Sequence, residues 1–359
     1  MNLPTLSRNL SSFLLAVQTL TALTATPATA QSLEELQLPE TPLVLQSQGS
    51  FFVGGERVQQ SREEMGSFVD SGHITVNQMY VRYMVPPQAK TAVVMIHGMA
   101  LTGKCWETTP DGRLGWDEYF VRQGRSVYVA DQVGRGRSGF DQSVFNRVRV
   151  GQTPASSTPS LRRFSNENTW PNFRIGSQEG VPFQPSLYPV SSIDEASKQG
   201  VPDLSDTVPS PNPSYRALAD LSSRLKGAVL ISHSQSGSFP LEAALIDPTG
   251  IKAMVLLEPG GISDSYTDQQ IAVLAKIPIL VMFGDYLGAA PEGTGHSWQA
   301  AYDSGEAFVA RVKAAGGEAA MLHLPAVGIR GNSHMLMQDT NSLELADLVL
   351  KWLEEHNVE

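Results

Sequence analysis

One cysteine, Cys105, stands in a chain of 359 residues. No disulfide can form within it, so the fold must rest on a packed core, which a chain of this length can bury. No strand-to-helix turn surrounds Cys105, so it reads as a small apolar side chain near a turn and not as a nucleophile. Clusters of Lys and Arg are also lacking: the net charge is −10 and the pI about 5.2, the wrong balance for a phosphate-backbone partner. No apolar run reaches the ~20 residues that span a bilayer. No internal repeat is visible, and no His, Cys, Asp and Glu set has metal-ligand spacing. With 41% hydrophobic residues, what remains is a soluble globular protein.

The first thirty residues hold one charge, Arg8, followed by an apolar stretch from Phe13 to Leu23 and then Ala28-Thr29-Ala30. That order fits an export signal over residues 1–30, with small residues where a signal peptidase accepts little more than a methyl group. A buried helix or a membrane anchor is the rival reading, and the stretch is short and Thr-rich for either. The expectation is a secreted or periplasmic protein that keeps no stable membrane insertion once the signal is removed.

From residue 31 the chain is expected to form one α/β domain. Residues 31–48 read as a mobile lead-in. Residues 49–55 and 73–85 alternate as strands, the second stopped by Pro86-Pro87. Buried strands follow at 92–96, 126–130, 227–231, 252–257, 278–283 and 319–324. Helices are predicted at 116–123, 215–225, 241–246, 268–275, 299–315 and 343–355. Strands alternating with helices imply a doubly wound, mostly parallel sheet covered on both faces. Residues 145–213 break the pattern. They are rich in Pro, Ser, Asn and Gln, and a long irregular segment inside a compact domain is usually a functional cover or disordered. They are read as a cap insertion anchored by Trp170, Phe173, Phe183, Leu187 and Tyr188; a flexible surface insertion is the alternative.

The chemistry gathers at strand ends. Ser232-His233-Ser234-Gln235-Ser236-Gly237 joins a strand directly to a helix, the setting of a nucleophile elbow, which lifts one side chain above the sheet edge. Strand and helix backbones approach so closely there that residues two either side of the nucleophile must be small. They are usually Gly; here they are Ser232 and Ser236, which leaves Ser234 at the apex. His97-Gly98 ends an earlier strand, where the following loop supplies a backbone N–H to an oxyanion hole, expected from Met99, with the second from Gln235. Asp131-Gln-Val-Gly134-Arg-Gly136-Arg-Ser138 follows the next strand; its glycines lack the G-x-x-x-x-G-K-[ST] spacing of a phosphate loop. His334, in the loop before the last helix, is the expected base, with His296 as its rival. For the acid, the position after the 278–283 strand where one is usual aligns near Leu287, which carries no carboxylate, and Asp285 lies two residues early. Glu258 ends the neighbouring strand and is favoured over Asp285.

Across nearly all of the chain after residue 30, these motifs resemble a small group of bacterial esterases of the α/β-hydrolase superfamily that use a Ser–Glu–His triad. The match includes His97-Gly98, Trp106-Glu-Thr-Thr-Pro-Asp-Gly-Arg113, Gly115-Trp-Asp-Glu-Tyr-Phe120, Gly134-Arg-Gly-Arg-Ser138, the elbow, Glu258-Pro-Gly260, Phe283-Gly-Asp285 and Gly331-Asn-Ser-His-Met335. The resemblance implies Ser234, Glu258 and His334 as the triad of a carboxylic-ester hydrolase working through an acyl-enzyme, on a small-molecule ester, with no cofactor or metal. The cap region after Asp131 matches more loosely, and Met99-Ala100 departs from the group's oxyanion loop. Other readings of the same fold are a lyase, an acyltransferase, a cofactor-free haloperoxidase or a non-catalytic binding protein. Oligomeric state is not legible.

Overall fold

A computed structural model describes residues 32–289 and 297–358. The expected export signal (1–30) and His296 lie outside the described residues. Residues 32–46, expected to be a mobile lead-in, are tied to the domain: Gln37 N–H donates to the Gly112 carbonyl at 2.8 Å, and Arg122 Nη1 donates to the Thr41 carbonyl at 3.0 Å.

The fold opens with an antiparallel ribbon, β1 (Ser47–Gln60) and β2 (Gly72–Val85). The first strand was expected to end at Gly55. It runs on to Gln60 because Gly54 and Gly55, with Asn77 opposite, take positive φ of 69°, 99° and 60°. The ribbon twists there without losing its register.

Next come β3 (Lys90–Ile96), α1 (Trp116–Arg122) and β4 (Arg125–Asp131). The stretch expected to be irregular contains short pieces: α2 (Ser143–Arg149), α3 (Asn166–Asn172), a small hairpin of β5 (Gly176–Gln178) and β6 (Val181–Pro182), and α4 (Ile193–Lys198). Alternation then resumes with α5 (Pro213–Arg224), β7 (Ala228–His233), α6 (Phe239–Ile246), β8 (Ile251–Leu257), α7 (Asp268–Leu274), β9 (Ile279–Phe283), α8 (Trp298–Ala314), β10 (Ala319–His323) and α9 (Ser342–Glu355). Helix α5 starts where the sequence stops the insertion. Asn212 accepts the Ser214 N–H at 2.9 Å and Pro213 occupies the first turn, a cap and a pre-set φ acting together.

The main sheet has eight strands in the order β1-β2-β4-β3-β7-β8-β9-β10, parallel from β4 to β10. Strand side chains alternate between two cores. Ala228 and Leu230 of β7 enter the core under α5 to α8, whereas Val229 and Ile231 enter the core under α1 and α9. Both faces are covered, so the central strands read as unbroken apolar runs. This is the α/β-hydrolase architecture, and it brings the carboxyl ends of β3, β7, β8 and β9 to one edge of the sheet, where open α/β sheets place their ligands.

Candidate active site

Ser234 follows β7 directly, with φ +60°. Only a sharp left-handed turn lets the chain reverse from strand to helix here, and a non-glycine residue pays about 1–3 kcal/mol for it. Crowding explains the neighbours. A Cβ on Gly98 would sit 2.7 Å from Ser234 Cβ, and one on Gly237 would sit 2.4 Å from Pro259 Cβ. The serines at 232 and 236 satisfy the size rule and are fully buried. Ser236 Oγ lies 3.0 Å from the His233 carbonyl and 3.1 Å from that of Ile96, so its hydroxyl stitches the elbow to β3.

His334 lies in the loop between β10 and α9, completely buried. Its Nδ1 is 3.2 Å from Oε2 of Glu258. A carboxylate only accepts, so Nδ1 carries the proton and Nε2 is the nitrogen left for basic work. Glu258 also has a left-handed backbone, φ +50°, just past β8. Its Oε1 accepts the Gly284 N–H, and its Oε2 meets Arg174 Nη2 at 2.6 Å. A Cβ on Gly284 would strike the carbonyls of Asn332 and Ser333, which accounts for glycine in the Phe283-Gly-Asp285 motif. Asp285 is placed differently. Its carboxylate accepts the Gly331 N–H at 3.1 Å and the Tyr286 N–H at 2.8 Å, so it braces the start of the histidine loop and does not meet the imidazole. Asp339 braces the other end, accepting Asn332 Nδ2, Ser333 N–H and Ser333 Oγ at 2.7–2.9 Å. Burial pushes its carboxyl up to about 6.

His233 is not arranged as a base. Its Nε2 donates to the His334 carbonyl at 2.9 Å and its ring lies 4.5 Å from the His334 ring. Burial, reinforced by His334, drives it well below the ordinary histidine range, so it stays uncharged. His97 is structural too. Gln132 N–H donates to Nε2 at 3.0 Å, so Nδ1 carries the proton and donates to the Gly98 carbonyl at 2.9 Å. Burial, with the charge of Arg135, lowers it to about 4.

The loop after β3 is held from outside. Ala100, at φ +54°, gives its N–H to Asp203 Oδ2 at 3.0 Å and its carbonyl to the Val201 N–H at 2.8 Å. Asp203 is fixed in turn by Arg135 at 2.7 Å, both buried. Ala100 N–H is thus engaged, and Met99, the residue before it, lines the cavity beside Ser234. Gln235 is in the first turn of its helix, where N–H groups have no intrahelical acceptor. In the Asp131 turn the carboxylate itself takes the nearby amides, accepting Gly103 N–H at 2.7 Å and Arg137 N–H at 2.8 Å. Gly98 is the point where the loop after β3 meets Ser234. Gly98→Ala is expected to lower kcat/KM by about a hundredfold, the usual cost of a displacement of about 1 Å at a reacting group. Steady-state kinetics on an ester substrate measure it, and a loss below threefold would show that the contact is not limiting.

Residues 145–213 contribute more than sequence reading foresaw. Of the expected anchors, Trp170 and Tyr188 are buried, Phe173 packs on the core under α1 and α9, and Phe183 stacks on Tyr286 at 4.4 Å. Leu187 is bonded to the histidine loop through its backbone: its N–H donates to the Gly331 carbonyl at 2.8 Å and its carbonyl accepts the Thr340 N–H at 2.7 Å. Of three consecutive residues at the site, Asn172 and Arg174 were missed, and Phe173 was expected only as an anchor. The Asn172 carbonyl accepts Trp298 Nε1 at 2.7 Å, the Phe173 carbonyl accepts the His334 N–H at 2.8 Å, and Arg174 pairs with Glu258. Trp298 lies 4.0 Å from the His334 ring. These partners sit far apart in sequence, and no local pattern marks them; a lone Arg in an aperiodic, Pro-rich stretch gives no signal of burial. The cavity beside Ser234 is about 590 Å³, lined by Met99, Leu101, Phe164, Phe173 and Trp298 with the amides of Asn168, Asn172 and Gln235.

No protein-family model matches the chain. A solved structure described as a novel bacterial esterase superposes on it with a TM-score of 0.83 and 45% sequence identity, over 89% of this chain and 98% of that one. Among curated proteins, the probable secreted lipase phiG of a fungal species (strain ATCC 74256) is 26% identical over 368 residues, 89% of this chain and 97% of its own.

Proposed function

The chain belongs to the bacterial esterases of the α/β-hydrolase fold, and we propose that it hydrolyses carboxylic esters through an acyl-enzyme on Ser234, with His334 as base and Glu258 as the acid. The observation that carries this reading is the buried contact of Glu258 Oε2 with His334 Nδ1 beside a left-handed elbow serine. Glu258 holds the imidazole in the tautomer whose Nε2 can take a proton, and its charge stabilises the imidazolium that follows. Ser234 Oγ attacks the ester carbonyl as His334 Nε2 removes its proton. The N–H groups of Met99 and Gln235 hold the oxyanion, a contribution of about 3–4 kcal/mol per donor to the transition state in such sites. His334 then protonates the leaving alcohol, and water repeats the sequence on the acyl group.

The cavity lining favours an uncharged ester. Among the described residues around it there is no Lys, Arg, Asp or Glu, so a charged group would enter without a partner. Residues 145–213 act as a cap that supplies Phe164, Asn168, Asn172 and Phe173 to that lining. Export is supported by the pattern of residues 1–30 and by the description of the fungal relative as a probable secreted lipase. No helix of the described residues is long and apolar enough to cross a membrane.

The test is direct. The protein should turn over a short p-nitrophenyl ester, and a fluorophosphonate should label it on the peptide carrying Ser234, read by mass spectrometry. Labelling without ester turnover would redirect the reading to an acyltransferase, lyase or haloperoxidase reaction on the same triad. Neither labelling nor turnover would make it a binding protein.

A further inference from the structure

Arg174 is an arginine with no exposed surface on its side chain, and it reaches the site from the insertion, not from the sheet. Its backbone is held at φ +55° at the end of α3. Its Nη2 lies 2.6 Å from Glu258 Oε2, the same oxygen that meets His334 Nδ1. Its Nε donates to the Asp285 carbonyl at 2.7 Å, and its guanidinium lies over the Trp298 ring at 4.9 Å, the ring that also packs on His334. A proton arriving on His334 therefore meets one carboxylate and, across that carboxylate, one fixed cation.

We propose that Arg174 is a positioning residue of the triad: it aims the Glu258 carboxylate and offsets part of its charge, so that His334 remains an unprotonated base at more acidic pH than a Glu–His pair alone would allow. The inference rests on the triad reading above. Its physical basis is elementary. A neighbouring cation favours the ionised carboxylate and opposes formation of an imidazolium, and a buried charge is little screened. Water cannot offset this carboxylate, because neither partner of the ion pair has exposed side-chain surface.

The other groups around His334 do not supply that cation. His233, from the end of β7, is kept uncharged by burial. His97, after β3, is likewise lowered, to about 4. Asp285, after β9, turns its carboxylate to Gly331 and Tyr286. Asp339, on the histidine loop itself, is engaged by Asn332 and Ser333. Asp339 carries its own titration near pH 6, so the comparison must be between variants that all retain it.

The experiment is the pH profile of kcat/KM for a p-nitrophenyl ester in the wild type, Arg174→Lys and Arg174→Gln. In Arg174→Gln the acid limb should move to higher pH by about one unit, because the like charge that opposes the imidazolium is gone. Its activity should then fall about tenfold more at pH 5.5 than at pH 8.5. Arg174→Lys should lose rate at all pH values, because the planar fork is gone, yet keep the wild-type limb. An unmoved limb in Arg174→Gln, or a limb in Arg174→Lys that moves as far as in Arg174→Gln, overturns the inference. If Arg174→Gln does not fold, the comparison becomes Glu258→Gln against Glu258→Gln with Arg174→Met. The cation without its carboxylate should be harmful, so the double variant should be at least as active as the single one. A double variant less active than the single one would overturn the idea, because the guanidinium would then be doing something other than answering the Glu258 carboxylate. Failure of the triad reading looks different, since the wild-type protein itself would then show no labelling at Ser234.

Discussion

Ser234→Ala is expected to lower kcat by about 10⁶ and to abolish fluorophosphonate labelling, and His334→Ala to cost nearly as much. Nucleophile and base act as one unit, so the double variant should be no slower than either single one. The substitution at 234 removes one oxygen atom and leaves the left-handed backbone to the same type of side chain, so the thermal midpoint should stay within a few degrees of the wild type. Burst kinetics with p-nitrophenyl acetate and a melting curve are sufficient measurements. Retention of more than about 1% of the wild-type kcat in Ser234→Ala would remove this serine from the chemistry, and Ser232 and Ser236, whose hydroxyls are spent inside the elbow, are poorly placed to replace it.

The second large effect distinguishes the two candidate acids. Glu258→Gln is expected to lower kcat by about 10³–10⁴, the scale on which an imidazole loses its tautomer and its counter-charge. It also strands the buried Arg174 guanidinium, and breaking one side of a buried ion pair costs about 3–5 kcal/mol. The variant should therefore melt earlier, and its kinetics belong well below its own midpoint. Asp285→Asn keeps an oxygen that can accept from Gly331 or Tyr286, and it touches the imidazole only through the loop it braces. Its loss should stay within about tenfold. The reverse order of the two losses would transfer the acid role to Asp285.

The sequence made the strands and the elbow legible for a physical reason. Central parallel strands are buried on both faces, so β3, β7, β8 and β9 appear as short, nearly unbroken apolar runs. Ser234 could be read because the turn it occupies excludes large neighbours, and that exclusion is written in adjacent residues. His334 could be read because it follows the last strand in chain order. Arg174, Asp203 and Trp298 left no such trace. Each acts on a residue roughly 80 to 125 positions away, and their contacts exist only once the sheet has brought the strand ends together. The composition of residues 145–213 correctly signalled a departure from periodic structure. It could not show that the segment supplies the Arg174 and Asp203 side chains and the Asn172 and Phe173 carbonyls to the frame around Ser234 and His334.

The anchoring of Ala100 matters for anyone who wishes to re-engineer selectivity. Because Val201 and Asp203 hold both backbone groups of that residue, and residues 172–174 hold the histidine loop, the insertion is no interchangeable module. Grafting the corresponding segment from a relative would trade the walls of the cavity together with its hinges. A transplant that preserves Asn172 to Arg174 and Val201 to Asp203 while varying Phe164 and Asn168 would change what the pocket accepts and leave the frame around Ser234 and His334 in place.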